Sequence, residues 1–162
     1  MANPAISAVI DQLNLQTRLF KNVVSEIKDA DASKRFTDST NHVAWLAGHT
    51  VSTRYMLANM FGVKASEPYP ELFANGKGLD ATATYPSLSE LTKDWDSISA
   101  SVISRLNELS DSDIAAAAPF PLPVADATMK GFVSFIAHHE AYTIGQLGLL
   151  RRLNGYPAMQ YN

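Results

Sequence analysis

Four histidines, at positions 42, 49, 138 and 139, are the residues of this chain best suited to chemistry. Imidazole changes charge near neutral pH and is the commonest protein metal ligand. The four fall into two groups roughly ninety residues apart. His49 lies one heptad after His42, so on a helix the two share a face, but about 10 Å of rise keeps them from binding one ion. His138 and His139 differ by about 100° around a helix. Only His139 therefore shares a stripe with Ile136 and Thr143. An inward His49 opposite an inward His139 would set two imidazoles across a helical core, the way bundles build metal sites. The ordinary alternative is a pair of satisfied core histidines, hydrogen-bonded to carbonyls or to Thr143 and Gln146. The position four residues after His139 is Thr143, whose neutral hydroxyl is a poor ligand for a divalent metal.

Positioning these side chains requires helices, and the periodicity predicts four. The first covers about residues 4 to 29, with Asn3 as N-cap, Pro4 at the first helical position and Ile6, Ile10, Leu13, Phe20, Val23 and Ile27 on one side. The second covers about 41 to 61, with the stripe His42, Leu46, His49, Thr53, Met56, Met60 and Gly62 just past its end. The third opens on a capping box, Ser87 and Glu90, and carries Leu88, Leu91, Trp95, Ile98, Val102, Leu106 and Leu109 on one face. The fourth begins near Asp126 or Thr128 and ends at Asn154-Gly155, with the stripe Phe132, Ile136, His139, Thr143, Gln146, Leu150. Two long connections, residues 63–86, rich in Pro, Gly and aromatic residues, and residues 110–126, suit crossovers between helices. The expected fold is all-α, a four-helix bundle with long crossover loops, in one domain over residues 1–162.

Composition narrows the function. The chain has 162 residues, 46% of them hydrophobic, a size at which one core folds without metal or disulfide. A net charge of −3 supplies no basic footprint, so neither nucleic acid nor an anionic membrane is an expected partner. With no cysteine, the chain offers no thiolate nucleophile, zinc knuckle or iron–sulfur ligand. No stretch of about twenty apolar residues could span a bilayer. The opening MANPAISAVIDQLNLQ lacks the pattern of a secretory signal, so the expected location is cytoplasmic.

The segments NHVAWLAGHT (41–50) and HHEAYTIGQLGLLRR (138–152) resemble the DinB-like superfamily, and the likeness extends over almost the whole chain. The resemblance implies a four-helix bundle that dimerises and holds a divalent ion, zinc or nickel, on three histidines: one on the second helix and two, at i and i+4, on the fourth. His49 matches the first and His139 the second, while Thr143 stands at the third, so the implied metal site is degenerate. Characterised relatives are similar to thiol-dependent transferases and maleylpyruvate isomerases. The implied activity is thus a metal-dependent transferase or isomerase using a low-molecular-weight thiol on a small electrophile, with the metal as Lewis acid. The alternative is a metal-free small-molecule binding or dimerisation module.

The remaining expectations follow from position. Trp45 and Tyr142 would line a pocket together with Thr143 and Gln146. Glu140 is expected to be a solvated surface group. Arg151 and Arg152 would complement the fourth helix's dipole. Leu15 and Leu19, beside the first helix's main stripe, would supply an apolar face for a homodimer.

Overall fold

Each predicted helix has a start signal that can be checked against hydrogen bonds. The computed structural model describes residues 3–161, the side chain of Asn75 apart. Four long helices occur among them: α1 (Ser7–Val24), α3 (Val43–Met60), α5 (Leu88–Asn107) and α7 (Met129–Leu153). The connections hold α2 (Asp29–Ala32), α4 (Pro70–Phe73) followed by a 3-10 turn (Ala74–Gly76), and α6 (Asp111–Ala115). The fold is all-α, with a single isolated β-bridge between Ala117 and Thr128 among the described residues.

The Ser87–Glu90 capping box forms as read: Glu90 N–H donates to Ser87 Oγ and the Glu90 carboxylate accepts from Ser87 N–H. Gly62 ends α3 in a left-handed conformation, with Val63 N–H bonded to Ala58 C=O. Three boundaries differ from expectation. Asn3 closes a turn, its side-chain oxygen accepting from Ala5 N–H, and α1 starts only at Ser7. That helix stops at Val24 rather than near residue 29, because Glu26 adopts φ 63°. The carbonyls of Val23 and Ser25 instead accept from Arg151 Nη1, so this arginine ties the ends of α1 and α7 together besides facing its own dipole. The long connections are not plain loops, since Ser110 and Asp113 form a second capping box that starts α6 within one of them.

The long helices close a ring in which α1 packs against α5 and α7, and α3 packs against the same two. The consecutive pairs α1–α3 and α5–α7 are diagonal, so the crossovers are residues 25–42 and 108–128, whereas the 63–86 connection, expected as a crossover, joins the neighbours α3 and α5. Phe20 and Trp95 stack at 4.5 Å in the centre, both fully buried. Each such side chain withdrawn from water contributes about 1.5–3 kcal/mol. Leu19, expected on an exposed face, is 7% exposed and belongs to this core, while Leu15 is half-buried against it. Burial on the inner side of α1 is therefore wider than the stripe suggested. Among the described residues, no helix is long and apolar enough to cross a membrane.

α3 is buried almost all round, as expected of a helix hemmed in by α5, α7 and the α4 connection. Gly48 permits the last contact: a Cβ at this position would lie 2.1 Å from the ring of Phe73. α4 therefore rests directly on the α3 backbone beside His49.

Candidate functional site

His49 on α3 and His139 on α7 meet across the contact between their helices, Nε2 to Nε2 at 3.1 Å and rings at 64°. The indole of Trp45, one turn before His49, stacks on the His49 ring at 5.0 Å with only 7° between the planes. Burial, and then the neighbouring His139, hold the His49 pKa down to about 4. Burial, and then the charge of His138, lower that of His139. Both rings are therefore neutral at physiological pH, and one Nε2–H donates to the other Nε2.

The Nδ1 of His139 is buried with no partner. A buried N–H left unpaired is rarer in proteins than an acceptor left unpaired. The assignment that avoids it has His139 donating from Nε2 to His49 and leaves a bare lone pair on its Nδ1. His49 then carries its proton on Nδ1.

The pair opens onto a cavity of about 540 Å³, lined by His49, Ser52, Thr53, Met56, Asn59 and Met60 of α3, by Glu67, Phe73, Ala74 and Gly76 of the following connection, and by Phe135, Ile136 and His139 of α7. This is the size of a small-molecule site. The His49–Thr53–Met56–Met60 stripe on the second predicted helix, polar where a core should be apolar, is the wall of this cavity. One turn along α3 from His49, Ser52 donates to the Glu67 carboxylate at 2.5 Å.

The other expected site residues divide. Thr143 is buried, but its hydroxyl donates to the backbone carbonyl of His139 at 2.9 Å and it does not line the cavity. Gln146 is half-buried and makes no hydrogen bond to either histidine ring. Thus the expected hydrogen bonds from Thr143 and Gln146 to the imidazoles are absent. Tyr142 is 64% exposed and lies outside the cavity, a correction of its expected role. At about 100° per residue, the buried sector of α7 centres near Ile136, Glu140 and Leu147. His139 sits at its edge and Tyr142 beyond it. Trp45 is buried and backs His49 rather than facing the cavity. His42 is not on the helical face at all: it is the N-cap of α3, its Nδ1 accepting from Trp45 N–H at 3.0 Å.

Glu140 overturns the expectation of a solvated group. Its side chain is 0% exposed and forms a two-pronged ion pair with Arg54 of α3, equally buried, Nε to Oε1 at 2.6 Å and Nη2 to Oε2 at 2.5 Å. Arg54 also donates to Thr17 Oγ1 of α1 and Ser99 Oγ of α5, each at 3.2 Å, and lies 4.1 Å over the Trp95 ring. One guanidinium thus touches all four long helices. Burial pushes the Glu140 carboxyl up and Arg54 opposes this. The signal was present in the sequence: Arg54 is the lone charge in Val43–Met60 and Glu140 the lone carboxylate in Met129–Leu153.

A family model described as the DinB superfamily matches residues 12–147. The chain belongs to the DinB superfamily. Among curated proteins, none matches it significantly. As a DinB protein it has an incomplete donor set at the expected metal position. Among the described residues no three of His, Cys, Asp and Glu converge, and Glu67, although in the same cavity, does not join the two imidazoles. A catalytic zinc ordinarily takes three protein ligands, so the residues present do not fit a resident catalytic ion.

Proposed function

We propose that this DinB protein is a single-domain four-helix bundle over residues 1–162 that binds a small molecule in the cavity between α3, α4 and α7, with the neutral His49–His139 pair at its head and no resident metal. The observation that carries the reading is a pair of imidazoles 3.1 Å apart with no third protein donor beside them among the described residues. The low pKa of His49 agrees with it, since a ring titrating at about 4 is a weak base at neutral pH and serves better as a hydrogen-bonding group. Metal analysis of protein purified without a histidine tag tests the reading. Less than about 0.1 equivalent of zinc or nickel is expected, and stoichiometric metal would overturn it.

A second reading, the metal-dependent and thiol-using transferase or isomerase, is favoured by one distance. Two zinc–nitrogen bonds of about 2.0–2.1 Å at the tetrahedral angle hold ligand nitrogens about 3.4 Å apart. The observed 3.1 Å is close to that. Zinc or nickel on His49 and His139 would then need its remaining ligands from outside the chain. The cytoplasm is the proposed location. A homodimer is the proposed assembly, and the exposed apolar residues Tyr142, Leu149 and Leu153 on α7, rather than Leu15 and Leu19, are suited to it. Light scattering should give twice 17.6 kDa, and the monomer mass at micromolar concentration would contradict it.

A further inference from the structure

The chemistry of the cavity walls restricts what can enter. Glu67 is the one side chain with a full charge among those lining it; no lysine or arginine is there. The nearest cations in the sequence, the exposed Lys64 among them, do not line the cavity. Arg54 is neutralised by Glu140 in the core, and the Lys77 ammonium donates to the Glu71 carbonyl at 2.7 Å. The remaining polar groups are mostly satisfied within the protein: Thr53 donates to the His49 carbonyl, and the Asn59 amide bonds both backbone groups of Ala65. Among the described residues Glu67 accepts one hydrogen bond, through Oε1 from Ser52, and no donor reaches Oε2. The rest of the wall is Met56, Met60, Phe73, Phe135 and Ile136. Thioether and aromatic surfaces suit a flat apolar body, aromatic above all.

We infer that the cavity takes a small arylalkyl amine, with the ammonium on Glu67, the ring among the methionines and phenylalanines, and no place for a carboxylate or phosphate. Ser52 lies one turn from His49, about 4.5 Å along the α3 axis. A ligand with a two- or three-carbon linker therefore spans from the carboxylate toward the histidines. An anionic ligand would meet the Glu67 charge with no lysine or arginine among the described lining residues to offset it. The inference rests on the proposal that this cavity is a small-molecule site and adds its selectivity.

The test uses three probes of equal shape, 2-phenylethylamine, 2-phenylethanol and phenylacetate, titrated into the full-length protein and followed by amide NMR shifts. The amine should bind at least tenfold more tightly than the alcohol, with shifts at Met56, Phe73 and Phe135, and phenylacetate should not bind. Glu67→Gln should weaken the amine about tenfold more than the alcohol, and amide shifts unchanged away from the cavity show that the variant is folded. Ser52→Ala, which frees the carboxylate, should keep the amine preference. Phenylacetate binding as tightly as the amine, or an amine affinity indifferent to Glu67→Gln, would overturn the selectivity while leaving the cavity a ligand site. Failure of all three probes to shift these residues at millimolar concentration would overturn the ligand-site reading itself.

Discussion

Two polar bridges join α3 to α7, and they are built to opposite specifications. Arg54–Glu140 is charged, fully buried, and extends hydrogen bonds to α1 and α5. His49–His139, starting five residues earlier on one helix and one residue earlier on the other, is neutral, half-buried, and leaves one ring nitrogen without a partner at the edge of a cavity. A buried ionic group with each side-chain nitrogen hydrogen-bonded fixes how its helices sit. A polar pair left incomplete beside a cavity is not explained by packing alone, and this is why the pair is the one proposed to meet a ligand. The first bridge holds the register of α3 on α7, and the second uses that register.

Removing one partner of the ion pair should produce the largest effect. Glu140→Ala leaves the Arg54 charge buried and unpaired, and a loss of about 3–5 kcal/mol in chemical denaturation is expected. The double variant Arg54→Met, Glu140→Leu should recover most of that loss. His49→Phe, which keeps the stack on Trp45, should cost less than about 1 kcal/mol at pH 7. Comparable losses at both bridges would erase the distinction drawn between them.

A smaller effect sharpens the contrast from the other side. Thr143→His places an imidazole one turn beyond His139 and would complete a three-histidine set. Calorimetry should show zinc binding at least tenfold tighter than wild type, about 1.4 kcal/mol or more. Equal affinities would mean that the Thr143 position does not face the pair. The smallest effect concerns pH. His49 is neutral in the folded protein down to about 4, whereas in the unfolded chain it takes up a proton near 6.5. Stability conferred by this ring is therefore full above pH 6.5 and is lost as pH falls toward 4. His49→Phe should remove about 1 kcal/mol of the stability change between pH 7 and about 5.7, and an unchanged pH profile would place the ring in water.

Much of the arrangement was legible in the sequence because it is written in local chemistry. The capping box at Ser87 and the glycine after Phe61 are short-range signals. Helical spacing alone also put His49 and His139 on faces that could meet. What escaped depends on the third dimension. A stripe of six residues fixes the facing direction of a helix only to within several tens of degrees, enough to misplace Tyr142 and to miss that Glu140 points at the centre. His42 fits the stripe equally well as a helical residue or as a cap, and only the bond from Trp45 N–H decides. The short helices α2, α4 and α6 are below the length at which periodicity speaks, and α4 nevertheless supplies Phe73 to the cavity wall.

The protonation of the two imidazoles in the protein as purified is the most direct measure of the account. Long-range proton–nitrogen NMR of the histidine rings, on protein made without a histidine tag, distinguishes a shared proton from a metal bridge. The account predicts a His139 ring protonated on Nε2, a His49 ring protonated on Nδ1, and neither Nε2 bound to metal. Both rings protonated on Nδ1, with both Nε2 nitrogens at metal-bound shifts, would contradict it.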